Sequence, residues 1–150
     1  MSREGDMAMS DLDAPNPGGS PLRIREVVID CADHEVVVPF WAAALGWRSH
    51  RVNAQYVALQ PPPGGAGPAI LFQKVPEPKQ VKNRVHLDLG GDDMAEAVAR
   101  MVGLGAMVIA QRSLGDFSWT VMADPEGNEF CVLAHDKSQR PGAQFVDGTS

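Results

Sequence analysis

The sequence predicts an α+β protein built from two βαβββ modules whose curved mixed sheet wraps a shared cavity. Two observations carry this. The order strand, Asp-containing turn, amphipathic helix, Leu-Gly occurs twice, in IREVVIDCADHEVVVPFWAAALGW from Ile24 and in NRVHLDLGGDDMAEAVARMVGLGA from Asn83. Three short strand-like runs follow each copy, the last led by glycine: GPAILFQ from Gly67 and GNEFCVL from Gly127. Such self-similarity marks one supersecondary unit used twice. The length of 150 residues, with 44% hydrophobic and 21% charged, suits one soluble domain with a real core.

Residues 1–20 are polar and end in APNPGGSP, and 137–150 are similar, so both read as disordered tails. The single domain is expected over 21–136, with module one at 21–74, a linker at 75–83 and module two at 84–136. In the first strand Val27 and Ile29 share a face, opposite Glu26, Val28 and Asp30. Asp33 can cap the first helix, whose stripe is Val36, Val37, Phe40, Trp41, Ala44 and Leu45. Pro39 interrupts that helix and removes one hydrogen bond. In the fifth strand Val85, Leu87 and Leu89 are expected under a helix, with His86 and Asp88 opposite. Asp92 or Asp93 caps the second helix, Met94, Val98, Met101 and Val102 form its buried face, and Gly105 stops it. Glu96 and Arg100, four apart, are placed to pair. Ile29-Asp30 matches Leu87-Asp88 at a spacing of 58, so both aspartates read as structural. The turn Asp124-Pro125-Glu126-Gly127 leads into the last strand.

Composition excludes several classes. Thirteen basic against 19 acidic residues give a net charge of −6 with no basic cluster, which argues against nucleic acid. No apolar run is long enough for a membrane span, and the first residues lack a signal-peptide core. The two cysteines, Cys31 and Cys131, fit a reduced, cytoplasmic setting.

The helix-free faces carry the candidate site. Glu26 and His86 stand at equivalent places in the two halves, Glu129 and Cys131 share a face of the last strand, and Leu71 and Gln73 share one in its first-half counterpart. Facing sheets would collect Glu26, Gln73, His86, Cys131 and Trp119 in one cavity. His86 is the natural acid or base near neutral pH, with Glu26 as its helper. Gln73, Trp119, Cys131 and Glu129 are the expected ligand contacts.

The paired modules, VVIDCAD–FW–ALGW, NRVHLDL and DPEGNEFCVL resemble the vicinal oxygen chelate superfamily, and within it the glyoxalase-like, bleomycin-resistance-type branch. The resemblance covers about residues 22–135. It implies a small-molecule cavity and a homodimer. In metal-dependent members it implies one divalent ion held by His, Gln or Glu from the first and last strands of each half. His86 matches such a position, and Glu26 falls near another. Cys131 stands where those enzymes have a carboxylate, and Leu71 or Gln73 stands at the fourth position. Hard ions avoid a thiol. The expectation is therefore no cofactor, with zinc through His86 and Glu26, and Cys131 as a third donor, as the alternative. Two functions remain open: a lyase or isomerase using His86, and a binding protein that sequesters a small molecule without chemistry. The net acidity suits a cationic ligand in the second.

Overall fold

The computed structural model of the chain describes residues 22–134; the tails expected at 1–20 and 137–150 lie outside them. Module one comprises β1 (Glu26–Cys31), α1 (His34–Leu45), β2 (Arg48–Arg51), β3 (Tyr56–Gln60) and β4 (Ala69–Lys74). Module two comprises β5 (Leu87–Gly91), α2 (Met94–Gly103), β6 (Met107–Leu114), β7 (Phe117–Ala123) and β8 (Glu129–Ala134). Each module forms a four-stranded mixed sheet, in the orders β1-β4-β3-β2 and β5-β8-β7-β6. In each, the first strand pairs parallel with the last, which the helical crossover makes possible.

Local chemistry sets the helix ends. Asp33 and Asp93 are extended N-caps whose carboxylates accept from the backbone N–H of Glu35 and Glu96. Gly46, at φ 68°, closes α1 in the left-handed region that glycine enters freely. Pro39 sits on the exposed side of α1, so the helix continues past its missing hydrogen bond. The stripe is shifted from the expected one. Val38 and His34 are buried, with the His34 ring bonded to the Phe72 carbonyl at 3.2 Å, whereas Val36 is exposed.

The two modules share one core, built where the helices meet. Phe40 and Trp41 of α1 pack on Phe130 of β8, with ring centroids 5.9 and 5.2 Å apart. The turn at 124–128 acts as a clasp. Buried Asp124 accepts the Trp41 indole N–H at 2.9 Å and the backbone N–H groups of Glu126 and Asn128. Glu126 in turn accepts from the backbone of Ala32 and Asp33, 2.6 and 3.3 Å away, just before α1. Arg100 does not pair with Glu96. Its guanidinium donates to the carbonyls of Ala43 and Ala44 at the end of α1, where the helix dipole favours a cation.

Two further expectations are corrected. β5 begins at Leu87, and Val85 is exposed rather than covered by a helix. The chain before β5 does not join the ladder, because Asn83 bonds the Glu129 carbonyl and Lys82 its carboxylate. The repeat offset is 60, not 58: both N-caps, and both last strands, stand 60 residues apart. Asp88 therefore corresponds to Val28, and Asp30 to Gly90. The helix-free faces of the two modules meet at the seam beside β1, where Val28 and Asp30 of one module and His86 of the other line a common cavity of about 220 Å³.

Candidate functional site

Alternation puts Asp88 on the helix-free side of β5, where ladder register aligns its neighbours, and His86, just before the strand, turns its ring to Asp88. Asp88 lies opposite Cys131, which lies opposite Val121. One step along, Leu133 lies opposite Trp119, which lies opposite Arg112 on the edge strand β6. Phe117 follows Trp119 on the same face, their rings 5.5 Å apart and tilted by 31°. Together these side chains line a cavity of about 390 Å³, joined by Lys82, Leu114 and Glu129 at its rim. That size suits a small organic ligand, and a mostly apolar wall with few polar groups is the usual make-up of such sites.

The polar groups form two sets. The first is His86, Asp88 and Cys131. His86 Nε2 lies 3.2 Å from Asp88 Oδ1, and one ligand atom from each of the three residues lies within 4.8 Å of the others. In a neutral ring, a hydrogen on Nε2 would face Asp88 and leave Nδ1 its lone pair. The Cys131 thiol is pushed up to about 11, first by burial and then by the Asp88 charge beside it. It is a protonated, weak donor at neutral pH rather than a nucleophile. The second set is Glu129, whose carboxylate lies 2.9 Å from Lys82 and 3.7 Å from Lys79. The Lys82 hydrogen bond holds it below the usual carboxylate range.

Of the six expected site residues, the structure brings His86, Trp119, Cys131 and Glu129 to one cavity and leaves Glu26 and Gln73 off its wall. Both lie on the helix-free face of module one, Gln73 opposite Asp30 and Glu26 opposite Ala69. Leu71 and Gln73 share that face, and Leu71 is the counterpart of Cys131 by the repeat offset. His86 also lines a smaller cavity of about 220 Å³ at the seam with β1, beside Val28 and Asp30. Asp88 was the residue missed. Its spacing of two from His86 placed it on the same face, but the 58-residue match assigned it to structure. Arg112 and Lys82 carried no sequence signal, since only the ladder and the linker path bring them to the wall.

A divalent ion of the chelate type requires hard ligands from both modules. Here the four positions hold Glu26, Leu71, His86 and Cys131, and two of them offer no hard oxygen or nitrogen donor. That set does not fit such an ion. His86, Asp88 and Cys131 are the grouping of metal-donor type among the described residues, and its thiol suits zinc rather than magnesium or calcium.

Known proteins place the chain. The profile of a family described as "Glyoxalase-like domain" matches residues 26–133. A glyoxalase/bleomycin resistance protein/dioxygenase family enzyme from Burkholderia phytofirmans PsJN is similar in structure, with a TM-score of 0.62 and 19% identity, covering 75% of this chain and 98% of that one. The trypanothione-dependent glyoxalase I of Leishmania major gives 0.58 and 18%, covering 79% and 90%. Lactoylglutathione lyase from Agrobacterium tumefaciens gives 0.56 and 16%, covering 78% and 96%. At these identities the likeness is one of fold. No curated protein matches the chain.

Proposed function

Because the chain belongs to the glyoxalase-like domain family of the vicinal oxygen chelate superfamily, we propose that it is a small-molecule enzyme of lyase or isomerase type, working without metal and using His86 as acid and base. The observation that carries this is the His86–Asp88 pair on the wall of an aromatic-lined cavity. Asp88, not Glu26, is the group that orients the imidazole. Nδ1 takes a proton from a carbon next to a carbonyl, leaving an enediolate. That carbon bears a hydroxyl; the imidazolium returns the proton to the neighbouring carbon while the hydroxyl proton passes to the other oxygen, so the step is a net isomerisation with no redox change. The apolar wall of Val121, Leu133 and Trp119 limits water around the enediolate.

The test is proton exchange in D₂O, followed by NMR, on a panel of α-hydroxyketones and 2-oxoaldehyde hemithioacetals. Wild type should exchange the activated C–H, and His86→Gln should lose at least about a hundredfold. Equal exchange by both removes the mechanism. Elemental analysis belongs beside it. Zinc near one per chain, absent from Cys131→Ala, would replace proton transfer with a metal held by His86, Asp88 and Cys131, polarising a substrate oxygen.

The second reading is sequestration without chemistry, favoured by the raised, unreactive Cys131 thiol and the Phe117–Trp119 shelf. Ligand recovered unchanged after long incubation, with no exchange in any compound, would support it. The working unit in either reading is a homodimer. Val28 is half exposed on the helix-free face of module one, beside partly covered Leu71, and a second copy would cover them. Light scattering at micromolar concentration tests this. Among the described residues no helix is long and apolar enough to cross a membrane. Two buried free cysteines suit a reducing, cytoplasmic setting.

A further inference from the structure

We infer that the cavity of module two takes a small aromatic carboxylate, with Arg112 holding the carboxylate and Phe117 and Trp119 holding the ring. This rests on the proposed site.

Five charged or chargeable residues line the cavity: Lys82, His86, Asp88, Arg112 and Glu129. Both carboxylates are occupied, Glu129 by Lys82 and Lys79 and Asp88 by His86. Arg112 makes no ion pair among the described residues. Its one hydrogen bond is a long 3.4 Å contact to the Gln111 carbonyl. Arg112 is therefore the cation on the wall without a carboxylate partner, although the chain as a whole carries −6. A net acidic surface suggests a cationic ligand. The unpaired Arg112 guanidinium points the other way.

Position narrows the ligand further. Arg112 is the cross-strand partner of Trp119, and the Phe117 ring leans beside Trp119. A guanidinium at the edge of an aromatic shelf binds a planar carboxylate through two parallel N–H donors while the shelf takes a flat ring. His86 stands on the far side. β5 is three strands from β6, roughly 14 Å of backbone at about 4.8 Å per spacing. Both side chains reach inward across that span. A molecule with its carboxylate on Arg112 and one ring on the shelf directs a ring substituent toward His86. A ligand with no ring, or with a cation at the Arg112 end, satisfies neither contact.

The experiment uses the full chain and four probes: benzoate, 1-naphthoate, benzamide and benzylammonium. Binding is read by NMR line broadening of the probe and by tryptophan fluorescence, with Trp119→Phe to assign the signal. The carboxylates should bind saturably, 1-naphthoate more tightly than benzoate. Arg112→Gln should weaken both by about ten- to hundredfold, the worth of a lost charge-assisted pair, and Arg112→Lys by less. Thermal unfolding of each variant checks the fold. Benzamide binding as tightly as benzoate, a preference for benzylammonium, affinity unmoved by Arg112→Gln, or no saturable binding by any probe would each overturn the inference. His86→Gln separates the two proposals. Carboxylate binding kept in that variant, with exchange lost, supports both. Binding that depends on Arg112, with exchange unaffected by His86, keeps the ligand class and removes the mechanism.

Discussion

The two modules share a plan and differ where chemistry is possible. The last strand of each pairs with its first in the same register, Val28 with Leu71 and Asp88 with Cys131. At the 60-residue offset His86 stands over Glu26, Asp88 over Val28 and Cys131 over Leu71, and ladder pairing sets Trp119 over Tyr56. Module two keeps a polar triad beside an aromatic wall. Module one has an apolar pair and an exposed glutamate at the same three places. The helix-facing sides barely differ, Phe72 against Val132 and Leu59 against Met122, all buried. Folding constrains the covered face because any misfit there leaves a cavity or a clash. The open face is free to diverge, so a duplicated unit can keep its fold in both copies and hold a site in one.

The largest expected effect tests whether the modules form one body. Asp124→Ala strips partners from the Trp41 indole and from two backbone N–H groups, and should cost about 3–4 kcal/mol of unfolding free energy, measured by denaturant titration. Two separate transitions in wild type would break the shared-core picture. Next comes the contrast of equivalent residues. His86→Gln should lower exchange at least about a hundredfold, and Glu26→Gln should leave it within about twofold, because Glu26 does not reach the cavity. Equal losses would mean that module one contributes to the site. Writing module one's residues into module two, as Asp88→Val with Cys131→Leu, should abolish exchange while leaving stability within about 1 kcal/mol, since the triad holds a site rather than the core.

The smallest effect is one of pH. Burial raises both thiols to about 11 from a usual value near 9, Cys31 in module one and Cys131 in module two. Between these values the unfolded chain loses its thiol protons first, so the folded form binds more protons and stability falls as pH rises. The slope should approach about 1.4 kcal/mol per pH unit for each thiol. Cys131→Ser should flatten it by roughly half. A stability flat from pH 9 to 11 would remove the burial argument for both cysteines.

Much of this was legible in the chain. Both helices, their Asp caps, the repeated element order and the alternation that puts His86 opposite Leu87 follow from local propensity and period, which act over a few residues. The family resemblance in VHLDL and DPEGNEF rested on the same local patterns. What the chain alone left open was relative placement. How the two modules sit against each other depended on Trp41 reaching Asp124 and on Arg100 reaching the end of α1. Those contacts join residues more than 50 positions apart, and no periodicity encodes them. The same holds for Asp88 beside Cys131 and for Arg112 beside Trp119, which only strand pairing brings together. The sequence by itself determined the elements and the covered faces, because burial imposes a period on residue type. Tertiary structure decided which polar groups share a cavity, because that is set by ladder register and module packing rather than by any local preference.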